Sequence, residues 1–190
     1  MRYILGILIG LGLLILVIVL LVKSLSGGSV ENVIKPIDLP SYAATDSTAQ
    51  LYIDGPTNGD TEHRAVRISV SNQDIKVDVI QGYQRNVIDN KSYVNNQAAY
   101  AVFLHALQNY DFGKGNTSKD LADERGFCAL GNRYIYELKS GDSDVMRFWS
   151  TSCGGQGTFK GDGPTIRQLF INQVPRDTFR QMVSGIPIGS

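Results

Sequence analysis

The chain has few of the residues that build metal centres or disulfide-rich scaffolds. Its 190 residues include two cysteines and two histidines, and neither His63 nor His105 has another histidine or a cysteine within four residues. Zinc sites need such closely spaced ligands. The acidic residues Asp120, Asp123 and Glu124 lack the spacing of a calcium loop, and we expect them to be solvated surface. The sequence therefore predicts no metal ion and no cofactor.

A strong net charge is also absent. The 18 basic and 18 acidic side chains balance. Beyond residue 26 there are 16 basic and 18 acidic ones, because Arg2 and Lys23 lie before that point. Nucleic-acid-binding domains usually present a concentrated basic field to the phosphates. We therefore do not expect nucleic acid as a partner, nor attraction of the domain to anionic lipid headgroups.

One long apolar run does stand at the start of the chain. Residues 3–22 carry no charged side chain, and at ~1.5 Å per residue a helix of this length spans the roughly 30 Å hydrocarbon core of a bilayer. We expect residues 1–26 to form a single-pass anchor in the cell membrane, with residues 3–22 in contact with the lipid bilayer. The charges of Arg2 and the terminal amine, set against Lys23, lean toward an N-terminus inside and a C-terminal domain outside the cytoplasm.

Two features of this run allow further interpretations. The triplet Ser24-Leu25-Ser26 has the small residues of a signal-peptidase site, so a cleaved secretory signal is the alternative to an anchor. The length of the run favours retention, since signal sequences usually have shorter apolar regions. Gly6 and Gly10 form a G-x-x-x-G pattern, which lets two membrane helices approach closely. A homodimer through these glycines is therefore an expectation to test.

The composition changes after the apolar run. Residues 27–48 are aperiodic, with Gly, Ser, Pro and Thr scattered among isolated apolar residues, which is typical of a linker. Residues 49–190 have the length of one domain that can bury a stable core. The sequence therefore predicts an anchor (1–26), a flexible linker (27–48) and an extracytoplasmic domain (49–190).

The spacing of the two cysteines predicts a disulfide. Residues 131–139 and 144–151 are strand-like, and the segment between them has turn residues, which indicates a hairpin. Facing residues in an antiparallel pair have a constant sum of residue numbers; a turn between Gly141 and Asp142 gives 283, and Cys128 and Cys153 give 281. They would lie nearly opposite each other at the open end of the hairpin, within reach of a bond. Since disulfides persist in oxidising compartments, the pair favours a location outside the cytoplasm; two free buried thiols are the alternative.

The remaining pattern predicts an α+β fold with an antiparallel sheet of about five strands. Strand-like runs at residues 50–54, 64–71 and 74–81 precede the cysteine hairpin, and the second and third alternate clearly between apolar and polar residues. Those two should form a hairpin through Asn72 and Gln73. The expected order is β-β-β-α-β-β-α-α, with helices packed on one face of the sheet.

Three helices are expected in this arrangement. The first should run from about Ser92 or Asn95 to Tyr110 and turn one apolar stripe toward the sheet. Two shorter helices should begin at Pro164 and Pro175, since proline is favoured in the first turn of a helix. The predicted stripe of the first helix consists of Ala99, Val102, Phe103, Ala106, Leu107 and Tyr110.

A glycine-rich segment follows the hairpin and leads into the helix at Pro164. Exposed backbone amides and a helix N-terminus are able to hold an anion. The spacing matches neither the P-loop nor the dinucleotide-binding fingerprint. The segment is thus a candidate anion or ligand loop, with a plain flexible loop as the other interpretation. Its candidate residues are Gly154, Gly155, Gly157, Lys160, Gly161 and Gly163.

One alternative enzymatic interpretation comes from the sequence around the second cysteine. Ser152-Cys153-Gly154-Gly155 resembles the G-x-C-G-G motif of the chymotrypsin-like cysteine proteases of RNA viruses. That resemblance implies a nucleophilic Cys153 with His63 as its base. The chain departs from the motif at Thr151, where the family has the glycine that shapes the oxyanion hole. A Cys153 bonded to Cys128 would not be a nucleophile.

The first 28 residues (MRYILGILIGLGLLILVIVLLVKSLSGG) resemble the N-terminal anchors of uncharacterised envelope proteins of small-genome bacteria. The resemblance brings no catalytic residue and no ligand with it. The sequence therefore favours a membrane-tethered interaction or structural module of the cell envelope, without evident catalysis and with a protein or cell-wall partner. The alternative is an envelope hydrolase or a cysteine-protease-like enzyme that uses Cys153 and His63.

Overall fold

The structure is a computed structural model that describes residues 37–117 and 122–187. The predicted anchor, including Gly6 and Gly10, lies outside the described residues. In the two described ranges, no helix is long and apolar enough to cross a membrane.

The described chain folds as an α+β domain with a six-stranded antiparallel sheet and three α-helices. In chain order, a 3₁₀ turn at Leu39–Tyr42 is followed by β1 (Ser47–Asp54), β2 (Arg64–Ser71), β3 (Asp74–Gln81), β4 (Asn86–Val94), α1 (Gln97–Asn109), β5 (Arg133–Ser140), β6 (Ser143–Thr151), α2 (Gly163–Ile171) and α3 (Arg176–Met182). The spatial order of the strands is β4-β3-β2-β1-β5-β6. The first four strands form a meander, and the hairpin of β5 and β6 then adds to the other side of β1.

The alternation of apolar residues explains the central strands. In β2 and β3, the valines and isoleucines at alternate positions are buried on the helix side of the sheet; they are Val66, Ile68, Val70, Ile75, Val77 and Val79. Val70 faces Ile75 across the predicted turn at Asn72 and Gln73. The backbone amides of Gln73 and Asp74 both donate to the Ser71 hydroxyl, which fixes that turn. This hairpin is confirmed with both strand bounds as predicted.

The antiparallel sheet is confirmed, with six strands where about five were expected, because residues 86–94 form β4. This strand lies at the edge of the sheet, and Tyr93 alone in it is partly buried. A strand with so little buried surface has no need of apolar alternation, so its sequence gives no periodic signal. The start of the first helix moves accordingly from Ser92 or Asn95 to Gln97.

The buried stripe of α1 also differs from the prediction. Phe103 and Leu107 are buried as expected, but Ala99, Val102 and Tyr110 are exposed. Tyr100 and Leu104 are fully buried instead. Tyr100 and Leu104 have more apolar surface than Ala99 and Val102. The helix therefore buries more apolar surface when it presents Tyr100 and Leu104 to the sheet.

Residues at the end of the predicted linker belong to the packed domain. Leu39 is fully buried in the core, and Ala43 is nearly so. The Ser47 hydroxyl lies 3.1 Å from the Tyr100 hydroxyl of α1, so the buried tyrosine has a polar partner. The folded domain therefore begins before residue 49.

The two faces of the sheet are covered differently. All three helices pack on one face and form the main core with the inward residues of the strands. A second, smaller apolar cluster lies on the opposite face, beneath Phe127 of the segment before β5. The rest of that face carries charged side chains, including Arg67, which is paired with Asp78.

Candidate binding cleft

A cleft of about 450 Å³ opens where the β5–β6 hairpin, the glycine-rich segment and the start of α2 meet. This volume lies within the range of known small-molecule sites, about 300 to 1,000 Å³. Polar and apolar groups both line the cleft. The lining residues are Tyr134, Ser150, Thr151, Ser152, Gly154, Phe159, Gly161, Gly163, Pro164 and Arg167.

Backbone hydrogen bonds hold the glycine-rich segment in place around this cleft. The Phe159 amide donates to the Trp149 carbonyl of β6 at 2.9 Å, and the Lys160 amide donates to the Lys114 carbonyl at 2.9 Å. A Cβ on Gly157 would clash with the Trp149 carbonyl, and Gly157 has φ +136°, a conformation that favours glycine. Glycine thus allows the close approach that lets the segment dock on the edge of β6.

Arg167 is the one cationic side chain among the described residues of the cleft lining. Its guanidinium carbon lies 4.1 Å from the centre of the Tyr134 ring, and its Nη1 donates to the Tyr136 hydroxyl at 3.3 Å. A Cβ on Gly163 would lie 3.1 Å from both Nη1 and that hydroxyl, so the absence of a side chain there leaves room for the guanidinium. Stacking and this hydrogen bond hold the side chain in one orientation.

Arg167 has no acidic partner within salt-bridge distance in the described part of the chain. The nearby Asp162 carboxylate is occupied with capping α2. It accepts from the Thr165 amide at 3.1 Å and from the Thr165 hydroxyl at 2.7 Å. These hydrogen bonds, together with a smaller contribution from the charge of Arg167, hold the pKa of Asp162 below its usual range. Most of the donors of Arg167 are left for another acceptor.

Hydroxyl-bearing residues at the end of β6 also line the cleft. The Ser150 hydroxyl lies 3.4 Å from that of Tyr136, and the Ser152 hydroxyl accepts from the Asn132 amide at 2.8 Å. The Thr151 hydroxyl is buried without a hydrogen-bond partner in the described residues. Burial raises the pKa of Tyr136, so its hydroxyl remains a neutral donor.

The predicted disulfide is confirmed and flanks the cleft. Cys128 and Cys153 are bonded, with their Cα atoms 5.7 Å apart. Cys153 stands between two lining residues, Ser152 and Gly154, so the bond fixes this part of the wall to the segment before β5. Because its sulfur is in the disulfide, Cys153 has no thiolate for nucleophilic attack.

His63, the proposed base of the protease interpretation, is occupied elsewhere. Its Nε2 lies 2.9 Å from an Asp54 carboxylate oxygen, and its Nδ1 lies 3.2 Å from the Pro56 carbonyl. The ring is buried and stacks on Tyr83, with 4.3 Å between ring centres. These contacts brace the loop between β1 and β2, and His63 does not line the cleft.

The sequence identified one part of the site and missed another. Gly154, Gly161 and Gly163 line the cleft as candidates of the glycine-rich segment, whereas Gly155, Gly157 and Lys160 do not. Lys160 is exposed. Arg167 was missed, although its position one turn after the N-cap of a helix that follows a glycine-rich loop was a usable signal.

The acidic cluster also differs from its prediction in one residue. Asp123 is exposed as expected, but Glu124 is buried and forms two hydrogen bonds with Arg147 of β6, at 2.8 and 2.7 Å. Asp120 lies outside the described residues. Within those residues, no three His, Cys, Asp or Glu side chains are grouped as metal ligands.

No protein-family model matches the chain, and the search of curated proteins finds no match either.

Proposed function

We propose that this chain is a membrane-tethered binding module of the cell envelope, whose extracytoplasmic domain takes a carboxylate-bearing ligand in the cleft beside α2. The observation that carries the proposal is Arg167, a fixed cation in a cleft wall that has no carboxylate within ion-pair distance among the described residues. The ligand class includes the free carboxylate of a wall peptide or of a protein C-terminus.

The location is supported by two features of the chain. The uncharged run at residues 3–22 has the length and composition of a membrane anchor. The Cys128–Cys153 disulfide is of the kind that persists in oxidising compartments. An anchored domain with its N-terminus inside and its fold outside the cytoplasm satisfies both.

Binding is favoured over catalysis by the chemistry of the cleft wall. Among the residues that the structure describes, the lining has several hydroxyl groups but no His, Asp, Glu, Lys or Cys. A hydroxyl needs a neighbouring base to act as a nucleophile at neutral pH. An arginine fork beside hydroxyl groups is instead a common way to hold a carboxylate.

A carboxylate matches this wall better than a cation or a neutral group. The planar guanidinium of Arg167 can donate two parallel hydrogen bonds to a carboxylate. Phe159, Pro164 and the Tyr134 ring provide apolar surface for the rest of the ligand. Beside Tyr136, the Ser150 hydroxyl can bond to peptide-like polar groups.

The test compares a short peptide that has a free C-terminal carboxylate with the same peptide amidated. Binding to the full chain in neutral detergent is measured by calorimetry. We expect the free acid to bind the wild type and Arg167→Gln to weaken it by roughly 10- to 100-fold, the range for a hydrogen bond to a charged group. Lys160→Gln is the matched control, since Lys160 is an exposed cation of the glycine-rich segment that does not line the cleft. This variant should bind the free acid with the affinity of the wild type.

Two results would contradict the ligand assignment: equal binding of the acid and the amide, or equal losses in the Arg167 and Lys160 variants. The location has a separate test. Isolated envelopes washed with alkaline carbonate should retain the chain, and protease added to whole cells should digest the domain. Release by carbonate, or protection from the protease, would refute the membrane-tethered, outward-facing arrangement.

A further inference from the structure

The two edges of the sheet are treated differently. At β6, the glycine-rich segment covers part of the edge: Gly157 bridges to Ser150, and the Phe159 amide bonds to the Trp149 carbonyl. At the opposite edge, β4 pairs with β3 alone among the described strands. A free edge strand presents unpaired backbone groups to which another strand can bond.

The side chains of β4 leave this edge open. Eight of its nine residues are exposed. They include Val87, Ile88 and Val94, of which Val94 is 94% exposed. Asp89 and Lys91 form no ion pair within the described chain, although charged residues on the neighbouring strands do, as Lys76 does with Asp74.

We propose that a second copy of this chain binds at β4, with the two β4 strands antiparallel about a two-fold axis at Asn90. A two-fold axis perpendicular to the sheet keeps each side chain on the same face in both copies. Side chains alternate between faces along a strand, so two facing residues are both odd-numbered or both even-numbered, and the sum of their numbers is even. With the axis at Asn90, Asp89 of each copy faces Lys91 of the other. Each copy thus neutralises the unpaired charges of its partner.

The neighbouring registers are disfavoured by the same charges. Moving the axis by one residue in either direction places Asp89 opposite Asp89 or Lys91 opposite Lys91. Like charges that face each other directly across a strand pair are destabilising. The pattern Asp89-Asn90-Lys91 therefore favours this register over both of its neighbours.

A bulge limits the length of this pairing. Val79 of β3 pairs with Asp89, but the next residue of β3, Ile80, pairs with Val87. Ile88 is therefore the extra residue of a β-bulge in β4. Bulges and lysines at an edge restrict indiscriminate strand addition. The new ladder would run from Ile88 to Ser92 in both copies, and a partner strand without the complementary charges would leave Lys91 unpaired.

The test is a cysteine placed on the proposed axis. In the full chain in detergent micelles, Asn90→Cys should cross-link to itself on mild oxidation, since facing Cβ atoms lie about 4.5 to 5.5 Å apart. The control is Asn109→Cys, an exposed position at the end of α1. Both native cysteines are already bonded to each other, so the introduced thiol is the one that reacts. We expect the dimer band for Asn90→Cys to exceed the control by roughly tenfold.

Charge variants in the Asn90→Cys background then test the register. Lys91→Glu faces Asp89 with a like charge and should lower the dimer yield roughly tenfold, whereas Asp89→Lys with Lys91→Asp restores opposite charges and should restore the yield. Equal yields at Asn90 and Asn109, or a yield insensitive to Lys91→Glu, would overturn the proposal. A Gly6→Leu, Gly10→Leu background removes pairing through the predicted anchor, and loss of the cross-link in that background would also overturn it.

Discussion

Removing the Cys128–Cys153 disulfide should lower the stability of the domain by an amount set by its loop length. The bond joins residues 25 positions apart. In the chain-entropy model, a loop of this size contributes about 3.5 kcal/mol by restricting the unfolded chain. For a domain of this length, 1 kcal/mol corresponds to about 2 to 4 °C in Tm, so the Cys128→Ala, Cys153→Ala variant should melt roughly 7 to 14 °C lower.

Trp149 provides the assay. It is the single tryptophan of the chain, it is buried, and its ring centre lies 5.1 Å from that of Phe127, one residue before Cys128. Urea unfolding followed by its emission therefore reports on this region of the domain. Wild-type protein under reducing conditions should match the double variant. A loss below about 1 kcal/mol would refute the reasoning, because it would mean that the β5–β6 hairpin already restrains the unfolded chain without the bond.

Two further predictions concern buried polar groups. Burial, followed by the charge of Asp54, raises the pKa of Tyr52 to about 12 from its usual 10.0. The corresponding stability of about 3 kcal/mol is present below pH 10 and lost as the pH rises toward 12, so urea unfolding at pH 8 and pH 11.5 should show a smaller alkaline loss in Tyr52→Phe than in the wild type. An equal loss in both would exclude this residue as the cause. Arg147→Gln should destabilise the domain by about 3 kcal/mol, since it leaves the buried Glu124 without a cation. Urea unfolding should show a much smaller effect for the exposed Arg125→Gln, and similar effects would contradict the assigned burial.

Local signals in the sequence were sufficient for much of the fold. The alternation of Val66, Ile68 and Val70 placed β2 and its buried face correctly, because half-buried strands require that period. The hairpin arithmetic brought Cys128 and Cys153 together for a similar reason. Strand pairing conserves the sum of residue numbers except at a bulge, so the turn fixed the partners to within one residue: the sum is 283 at Lys139 and Asp144 and 284 from Leu138 and Met146 outward.

Elements whose position depends on contacts distant in the sequence were harder to predict. β4 contributes little to the core, and hydrogen bonds to β3 rather than apolar periodicity make it a strand. Similarly, Glu124 was expected at the surface because nothing near it in sequence indicates Arg147, its partner on β6. Pairing across the fold replaces the solvation that a charged side chain would otherwise require.

The topology keeps the two proposed surfaces apart. β4 and β6 are the opposite edges of one sheet, and the cleft lies at the β6 edge, where Ser150 and Thr151 end the strand and Ser152 follows it. Pairing of two copies through β4 would therefore place the two clefts at the far ends of a continuous sheet, with both still open. A ligand with a single carboxylate would bind each copy independently, whereas a polymer with repeated carboxylates would bind both copies and gain avidity from the second contact. Lys91→Glu should then reduce binding to the polymer and leave binding of the short peptide unchanged, because the charge reversal affects pairing and not the cleft.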